Sequence, residues 1–591
     1  MNDFDFGNYL CDLRREQGLS QKELAARLGV SDKAVSKWEN GRSKPSNKTL
    51  LDLAKLFGIS TDALLTGGKR KENAPAGDAL SPAALMYSSQ TAQKERSTNM
   101  NFIPKESKPC YDYMCTWALQ EATASKTGLH SGDHCTDQRD ALTDELLFGS
   151  ERYYHPYDRS YRAGLYLLLD DGWDVPFGSK NSWGNWDVER FFGTCDPNPE
   201  KFPNYGKTPE ERLRTLNQKA KAMGYAGIGL WIATETGGSG KGDLGVGEKA
   251  RSYWAERARW CGQAGIRYWK IDWGRHCDPT YRRMLTEVLR ENAPGIIVEH
   301  AVCQPPYSNM GDIAHRVKET AEDLPICDVF RLYDVAFPFK NSSMLMRADE
   351  ALSAAVGRKP EYGTKGILNA ETCSSICAAL GCALGIMGGN SKNTSDAVCL
   401  RWHRLAPPFS VYDTDYKTSE LRLTDTYFFD RRPSWWINVV AKRFEESAPA
   451  VMARGCELPE VKAVGEVIPF VVASKNPHTG AYSIATIKRT INPNVNVIGA
   501  ADITFKVGSF DAPIGIFGYY NSLVLVFNEP VGDARIFVQD MMADEAVDVT
   551  EKCRVDDVKV MLSGDDMRLF GLSARSDEDT AEPSFLVKIV K

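Results

Sequence analysis

The chain has 591 residues, which is too long for a single hydrophobic core and predicts several domains. Hydrophobic residues make up 42% and charged residues 25%, values that exclude a fibrous or wholly disordered chain. The net charge is -6, yet residues 1–70 hold twelve Lys and Arg against nine Asp and Glu, so a basic N-terminal part of net charge +3 precedes an acidic remainder.

The cysteines and the apolar runs indicate the compartment. The 15 Cys are an odd number without the dense spacing of a disulfide scaffold, which predicts free thiols buried as small hydrophobes. The start of the chain has no secretory signal, and no run of about 18 apolar residues is present to cross a membrane. No CxxC pair or His/Cys cluster has zinc spacing. We therefore expect a cytoplasmic protein with no membrane partner, no metal and no organic cofactor.

Residues 5–66 have the pattern of five short helices, and residues 18–41, GLSQKELAARLGVSDKAVSKWENG, hold the informative part. Gly29 permits a tight turn after the first helix of this stretch, and Ser31 caps the second. The residues predicted to face the core are Leu24, Ala25, Leu28, Val35 and Trp38. This order of helix, Gly turn, helix and Asn-Gly stop favours a helix-turn-helix domain over residues 1–68; the alternative is an ordinary helical bundle with a solvated charged face.

Residues 6–66 resemble the Cro/repressor family of helix-turn-helix domains. The outward face of the second helix, which meets base edges in such domains, holds Asp32, Lys33, Ser36 and Lys37. Phosphate contacts at helix ends are expected from Gln21, Asn40, Arg42 and Lys44. The resemblance also implies an ion pair between Arg14 and Glu39, and double-stranded DNA as the partner. Repressor-type domains usually bind two half-sites as dimers, so we expect a homodimer.

Three further regions follow. Residues 69–100 are rich in Ala, Ser, Pro and Lys without periodicity and are predicted to form a flexible linker. Across residues 101–434, short apolar runs alternate with helical stretches, which predicts a (β/α)8 barrel of the TIM type. Residues 435–591 hold strand-like runs joined by turn residues, which predict a C-terminal antiparallel β-sandwich. The predicted fold class is thus multidomain, with an all-α bundle, a barrel and a sandwich.

The carboxylates suited to chemistry follow buried strands of the predicted barrel. The segment LYLLLDDGW places Asp170 and Asp171 at the carboxyl end of one strand, where the active sites of such barrels lie. Adjacent carboxylates repel each other, and sugar hydroxyls would offset them; a helix cap or a metal site is the alternative for this motif alone. Two strands later, RYWKIDWG places Asp272 at a strand end with Lys270 on the same side. A Lys there keeps the carboxylate ionised, as a nucleophile requires, although a structural salt bridge has the same pattern.

Two other strands contribute candidates. Trp231 stands near the end of the strand formed by residues 227–233, where it either stacks on a sugar ring or belongs to the core. The segment ICDVFRLYDV holds Asp328, Arg331 and Asp334 on or just after a later strand. Either carboxylate is a candidate for an acid/base partner, and both are loop or capping residues in the alternative interpretation.

The order DDGW, GIGLW, KIDWG and an Arg-Asp strand resembles the α-galactosidase (melibiase) clan over about residues 105–400. The resemblance implies Asp272 as nucleophile and Asp334 as acid/base. Around the sugar it places Asp170, Asp171, Lys270, Trp117, Cys303, Gln304 and Arg331. The family usually has three residues between its Arg and its acid/base, whereas two separate Arg331 from Asp334, so Asp328 stays open as the acid/base. Gln304 replaces the usual Glu or small residue of the substrate-selecting strand.

The resemblance therefore implies a retaining α-glycosidase. Asp272 attacks the anomeric carbon while Asp334 protonates the leaving oxygen, and water then hydrolyses the glycosyl-enzyme. The implied substrate is an α-galactoside or a close relative, such as an α-N-acetylgalactosaminide or a β-L-arabinopyranoside. The fused DNA-binding domain supports a second hypothesis, in which the chain is a one-component transcriptional regulator whose barrel senses a sugar with little turnover.

Overall fold

A computed structural model gives the architecture. It describes residues 3–17, 19–40, 43–59, 64, 99–127, 134–149, 157–180, 187–301, 313–332, 340–388, 393–429, 442–465, 467–492, 495–497 and 499–591. Within them, a helical N-terminal domain, a parallel barrel and a C-terminal pair of sheets follow in the predicted order. None of the helices in these ranges is long and apolar enough to span a membrane.

The N-terminal domain is a small helical bundle. Its described helices are α1, Asp3–Glu16; α2, Gln21–Leu28; α3, Asp32–Glu39; and α4, Asn47–Phe57. Ser20 and Glu23 form a capping box that begins α2, and Gly29 ends it with a left-handed φ of 67°, which explains the tight turn before α3. Val35 and Trp38 are buried, as predicted. Five helices are predicted over residues 5–66 and four are described, while residues 60–63, 65 and 66 lie outside the described ranges.

Eight parallel strands form the barrel, which confirms the predicted TIM-type architecture. Their bounds are β1, Tyr113–Cys115; β2, Tyr166–Leu169; β3, Gly227–Ile232; β4, Tyr268–Ile271; β5, Ile297–Ala301; β6, Val329–Arg331; β7, Ile367–Asn369; and β8, Gly385–Ile386. Strand β1 pairs with both β2 and β8, and a bridge between Asn369 and Ala383 joins β7 to the residues before β8, so the barrel is closed. Side chains fill the inside and helices cover the outside, which is why β2 and β3 are buried over their whole lengths.

Helices of varied length surround the barrel. They are α5, Trp117–Thr127; α6, His134–Ala141; α7, Asp144–Phe148; α8, Arg159–Arg162; α9, Pro209–Ala222; α10, Glu248–Ala264; α11, Pro279–Asn292; α12, Ile313–Asp323; α13, Lys340–Ala355; α14, Ser374–Leu380; and α15, Ser395–His403. Short 3-10 turns lie at Asp187–Arg190, Gly237–Ser239, Leu324–Ile326, Val411–Asp413 and Thr550–Lys552. Each long helix after a strand returns the chain to the amino end of the barrel, so the next strand runs parallel to the last.

The C-terminal region is a two-sheet sandwich. Its strands are β9, Asp415–Thr418; β10, Arg422–Phe429; β11, Lys442–Pro449; β12, Val451–Gly455; β13, Glu460–Val464; β14, Phe470–Lys475; β15, Tyr482–Ile487; β16, Arg489–Asn492; β17, Val495–Val497; β18, Asp502–Gly508; β19, Ile514–Phe517; β20, Ser522–Phe527; β21, Arg535–Asp540; β22, Val547–Asp548; β23, Arg554–Asp556; β24, Lys559–Ser563; and β25, Ser584–Val590, with helix α16 at Gly564–Gly571. One sheet has the order β22-β21-β25-β19-β15-β14-β12-β9 and the other β13-β18-β20-β24-β23, while β10-β11 and β16-β17 form separate two-stranded sheets. Apolar side chains of both sheets, including Phe505, Ile516 and Leu525, form a common core.

Two details of this region differ from the prediction. The pairs β12–β14, β15–β19 and β18–β20 are parallel, so the sheets are mixed rather than purely antiparallel. Strand β9, which precedes the predicted boundary at residue 435, already pairs with β12 of the larger sheet. Its sequence, DYKT, lacks an apolar run because the strand lies at the sheet edge with both faces partly exposed.

Candidate functional site

The candidate active site lies at the carboxyl ends of the barrel strands. Register places Trp231 beside Lys270 and Lys270 beside Glu299, so these three residues share one level of the barrel. An apolar and aromatic layer lies within the barrel and contains Tyr113, Cys115, Tyr166, Leu168, Tyr268, Val329, Ile367 and Ala383. The polar residues therefore lie above a closed barrel floor, at the end where ligands enter TIM-type barrels.

Lys270 is the central cation of the site. It is buried, and its Nζ donates to Oδ2 of Asp170 at 2.7 Å and lies 3.5 Å from Oδ2 of Asp272. Burial and the nearby Arg331 oppose its charge, but the two carboxylates outweigh them and raise the pKa of Lys270. The ammonium is thus permanently charged at neutral pH and holds both carboxylates near it.

Asp170 is the carboxylate that pairs most closely with this cation. Its Oδ2 also accepts a hydrogen bond from the Cys115 thiol at 3.0 Å, and its Oδ1 accepts one from the backbone N–H of Asp171 at 2.9 Å. Burial alone would raise the pKa of Asp170, but Lys270 and these hydrogen bonds hold it below its usual range. Asp170 is therefore a fixed anion with its acceptor sites largely occupied.

Asp272 has a different environment although it is equally buried. Its Oδ2 lies between Lys270 Nζ and Arg331 Nη1, at 3.5 and 3.6 Å, too far for strong hydrogen bonds. Its Oδ1 has no hydrogen-bond donor among the described residues. One oxygen of this carboxylate thus faces two cations while the other keeps its lone pairs, an arrangement suited to nucleophilic attack.

Arg331 joins Asp272 to a third carboxylate. At the end of β6, its guanidinium directs Nη1 toward Asp272 and Nη2 into an ion pair with Glu371, just beyond β7. Oε1 of Glu371 has no donor within the described residues. A single guanidinium therefore separates buried Asp272 from half-buried Glu371, and each carboxylate has one oxygen without a donor among the described residues.

Asp171 does not share the Lys270 cation. It accepts hydrogen bonds from Nε and Nη2 of Arg139, on α6, at 2.8 and 2.6 Å. Burial raises the pKa of Asp171, and Arg139 opposes the rise. Each of the two adjacent carboxylates has its own cation, so the protein itself offsets their repulsion.

Glu299 supports the site from strand β5, at the level of Lys270. Its carboxylate accepts from the Tyr268 hydroxyl at 2.6 Å, from the Asn369 amide at 3.0 Å and from the Tyr113 hydroxyl at 3.2 Å. Burial raises its pKa, while Arg331 and Lys270 act in the opposite direction. These bonds link β1, β4, β5 and β7 beside the cations, which holds the strands that carry Lys270 and Arg331 in register.

The two predicted tryptophans differ in exposure. Trp231 is buried, with its ring 5.5 Å from that of Phe192 and 6.1 Å from that of Trp273. Trp117, the first residue of α5, is only partly buried against the apolar layer of the barrel. Trp117 therefore has more exposed ring surface on which a sugar could stack, whereas Trp231 packs mainly against the rings of Phe192 and Trp273.

Asp328 lies at the other end of its strand. It precedes β6, and its Oδ2 accepts from Arg290 Nη2 at 2.7 Å and from the backbone N–H of Val298 at 2.9 Å. It is therefore a buried structural ion pair at the amino end of the barrel, remote from the Lys270 level. The predicted residues Cys303, Gln304, Asp334 and Arg42 lie outside the described ranges.

The helix-turn-helix surface has the predicted exposure. Asp32, Lys33, Lys37, Asn40 and Lys44 are exposed, and Ser36 is half-buried. The implied ion pair is present, since Arg14 donates to both carboxylate oxygens of Glu39 at 2.5 and 2.9 Å. The side-chain amide of Gln21 donates a hydrogen bond to Glu39 at 2.8 Å. Gln21, predicted to contact a phosphate, is therefore also part of the hydrogen-bond network that joins α1, α2 and α3.

Sequence reasoning missed several polar residues of the barrel site, namely Arg139, Glu299, Asn369 and Glu371. Three of them were detectable in part, because Glu299, Asn369 and Glu371 lie on or just past a strand with the alternation that points inward. Arg139 carries no such signal, because it belongs to a helix in an insertion between β1 and β2.

Comparisons with known proteins concern mainly the first domain. A helix-turn-helix family model matches residues 12–64. The transcriptional activator BcrR of Enterococcus faecalis is 40% identical over 63 residues, which are 11% of this chain and 31% of that protein. The uncharacterized transcriptional regulator y4dJ of Sinorhizobium fredii is 43% identical over 60 residues, 10% of this chain and 78% of that protein. A solved GH27 β-L-arabinopyranosidase from Geobacillus stearothermophilus, in complex with arabinose, aligns over 82% of this chain and 97% of its own, with 10% identity and a TM-score of 0.34.

Proposed function

We propose that the chain binds double-stranded DNA through its N-terminal domain, by which it belongs to the helix-turn-helix family. We further propose that its barrel hydrolyses terminal α-glycosides with retention of configuration at the anomeric carbon. The DNA-contacting face would be the exposed side of α3, where Lys33 and Lys37 provide positive charge. The barrel proposal rests on the carboxylates at the strand ends.

The observation that carries the glycosidase proposal is the state of Asp272. Its carboxylate is buried at the carboxyl end of β4, with Oδ2 facing Lys270 and Arg331 and Oδ1 without a donor. A buried anion normally has its oxygens satisfied, because an unpaired acceptor costs about 1–3 kcal/mol. An oxygen left without a donor at the carboxyl end of a barrel strand favours a reacting group over a structural one.

The proposed reaction is double displacement. Asp272 Oδ1 attacks the anomeric carbon, and the bond from that carbon to the leaving oxygen breaks as an acid donates its proton to that oxygen. The carboxylate loses its charge in this step, and before it Lys270 and Arg331 stand beside Oδ2 as the nearest cations. Asp334, which follows Arg331 on the chain, is the proposed acid and then the base that activates water.

The sugar would be held by the surrounding fixed charges. Oε1 of Glu371 has no donor among the described residues, Oδ1 of Asp170 keeps one lone pair beyond its bond from the Asp171 N–H, and Lys270 is a donor, so a pyranose with several free hydroxyls fits the chemistry of the site. Trp117 would stack on an apolar face of the ring. An α-galactoside, an α-N-acetylgalactosaminide or a β-L-arabinopyranoside is the substrate class we propose.

The test is Asp272→Asn, assayed on a panel of nitrophenyl glycosides that includes these sugars. We expect the folded variant to lose at least ~1,000-fold in kcat/KM, or about 4 kcal/mol of transition-state stabilisation. The control is Asp196→Asn, which removes a carboxylate that is paired with Arg212 and partly exposed, and it should keep wild-type turnover. Turnover by Asp272→Asn close to that of the wild type would exclude Asp272 as nucleophile.

A second candidate function follows from the union of the two parts. A barrel that binds the sugar without turnover would make the chain a one-component regulator, and the fused helix-turn-helix domain favours this possibility. Wild-type protein that binds a sugar of the panel, changes its DNA affinity on doing so and releases no nitrophenol would establish the regulator in place of the enzyme.

A further inference from the structure

A cluster of three different ligand types lies at the amino end of the barrel, opposite the proposed active site. Cys110 and Asp112 immediately precede β1, and His403 is the last residue of α15. His403 Nδ1 is 2.7 Å from Asp112 Oδ2, and Cys110 Sγ is 3.2 Å from the same oxygen. One ligand atom from each side chain lies within 4.8 Å of the other two.

We propose that Cys110, Asp112 and His403 bind one divalent transition-metal cation with the ligand preferences of zinc. Thiolate, imidazole and carboxylate are the side chains that zinc uses, with bonds of about 2.0–2.3 Å. Ligands at such distances around one tetrahedral ion stand roughly 3–4 Å from each other, so small side-chain shifts would suffice here. Coordination displaces the protons now shared between these groups, from the Cys110 thiol and from Nδ1 of His403.

The surroundings already orient two of the ligands. Asp112 Oδ1 accepts the backbone N–H of Leu384 at 2.8 Å, which leaves Oδ2 for the cation. The other ring nitrogen of His403, Nε2, lies 3.4 Å from Cys399 Sγ, and this hydrogen bond fixes the orientation of the imidazole ring. Such outer contacts are typical of metal ligands, because they fix the ring and the carboxylate before the ion arrives.

Access and charge are also suitable. Asp112 and His403 are buried, whereas Cys110 is half-buried, so the cluster reaches the surface on the Cys110 side, from which a water would enter as the fourth ligand. Among the described residues, His403 is the one ion-pair partner of Asp112. A metal cation would therefore take the place of the proton between His403 and the Asp112 carboxylate. It would not have to compete with a Lys or Arg side chain for Asp112.

The position gives the ion a structural role. Asp112 stands before the first barrel strand and contacts Leu384, just before the last strand, while His403 ends the last barrel helix. A metal at this point would tie the two ends of the barrel together across its seam. The sequence conceals the site because His403 lies 291 residues after Asp112, so no local ligand spacing exists.

The experiment uses the full chain stripped with a chelator and titrated with Co²⁺ as an optical probe of thiolate ligation. We expect one equivalent to bind with a sulfur-to-cobalt charge-transfer band, which Zn²⁺ displaces. The band should be lost in Cys110→Ser and in His403→Gln, and it should persist in Cys456→Ser, whose thiol is exposed elsewhere. Zn²⁺ should raise the Tm of the wild type and of Cys456→Ser, and leave that of Cys110→Ser unchanged.

Two results would overturn the proposal. One is a wild-type chain that binds no Co²⁺ through a thiolate after stripping. The other is a charge-transfer band that survives in Cys110→Ser, which would assign the ligand to another cysteine. The wild-type titration decides the matter even where a variant fails to fold, and neither result bears on hydrolysis at Asp272.

Discussion

The ammonium nitrogen of Lys270 lies 2.7 Å from Oδ2 of Asp170 and donates a hydrogen bond to it. The same nitrogen stands 3.5 Å from Asp272, so the two carboxylates share one cation unequally. Asp170 takes the hydrogen bond and becomes a fixed anion, while Asp272 receives charge stabilisation without losing a lone pair to a close donor. This asymmetry separates a binding carboxylate from a reacting one.

Replacing Lys270 tests this division. Lys270→Met leaves two buried carboxylates without their common cation, and we expect a loss of roughly 3–5 kcal/mol in unfolding free energy at neutral pH. Lys270 holds the pKa of Asp170 below its usual range, so its stabilising contribution is present above about pH 4 and disappears as the pH falls through the folded-state pKa. The difference between wild type and variant should therefore shrink toward acid.

The measurement is urea unfolding of both proteins between pH 3 and pH 7, with Lys241→Met as an exposed lysine control. The control should match the wild type within about 0.5 kcal/mol. A Lys270→Met deficit that stays constant across this range would show that packing, not charge, accounts for the loss.

Glu371 is expected to act on Asp272 through Arg331. Glu371→Gln removes the charge that holds Nη2 of the guanidinium, so Arg331 should turn toward Asp272 and make it a poorer nucleophile. We expect kcat to fall by about 10- to 100-fold, or about 1.4–2.7 kcal/mol, with a smaller change in KM. Glu361→Gln is the control, because Glu361 is exposed and also pairs with an arginine, Arg283. Equal kinetics for the two variants would remove Glu371 from the site.

The acid/base assignment separates Asp334 from Asp328. Asp334→Ala should cripple hydrolysis of glycosides with poor leaving groups, spare an activated aryl glycoside and respond to azide, because a good leaving group departs without a proton. Asp328→Ala should instead cost roughly 3 kcal/mol of stability, since it leaves half-buried Arg290 and the backbone N–H of Val298 without their acceptor. Azide rescue of Asp328→Ala, and none for Asp334→Ala, would exchange the two roles.

Local signals explain what could be predicted from sequence. The turn at Gly29, the inward face of α3 and the carboxylates at strand ends are set by neighbours within a few residues, and they lie where the patterns put them. Alternation along β4 is sufficient to place Lys270 and Asp272 on one side of the strand.

Long-range partners explain what could not be predicted. Alternation gives the side to which a residue points but not the residue it meets there. Asp171 pairs with Arg139, 32 residues earlier on an inserted helix, and Arg331 pairs with Glu371, 40 residues later. Such pairs arise only when the barrel closes, so the cation of Asp171 and the third carboxylate of the site escaped the sequence analysis.

The helix-turn-helix surface yields a prediction about salt. Each lysine that neutralises a DNA phosphate releases about one counterion, so Lys33→Ala and Lys37→Ala should each lower the slope of log affinity against log salt by about 1. Lys55→Ala, on the exposed side of α4, is the control and should keep the wild-type slope. Fluorescence anisotropy with a labelled DNA duplex, at salt concentrations between about 50 and 200 mM, measures the affinity and hence this slope. Unchanged slopes in both α3 variants would place the DNA on another face.

The last prediction concerns Glu235, a buried carboxylate just past β3. Its side chain is 1% exposed, neither oxygen has a hydrogen-bond donor among the described residues, and Arg275 Nε is 3.6 Å away. Burial and the nearby Glu189 raise the pKa of Glu235 to about 8, against the effect of Arg275. The folded state thus holds this proton more tightly than the unfolded chain, whose Glu pKa is about 4.3.

The sign of the stability change follows from that difference. Stability falls as the pH rises from about 4 to about 8, because ionising Glu235 is harder in the folded state, and it levels off above the folded-state pKa. Glu235→Gln removes this penalty, so the variant should match the wild type near pH 4 and exceed it by roughly 2–4 kcal/mol at pH 8. Urea unfolding followed by tryptophan fluorescence measures both proteins, with Glu200→Gln as an exposed control. If Glu235→Gln were as strongly stabilised at pH 4 as at pH 8, the gain would come from packing or new hydrogen bonds of the amide. It would then not come from removing the cost of ionising Glu235 in the folded state.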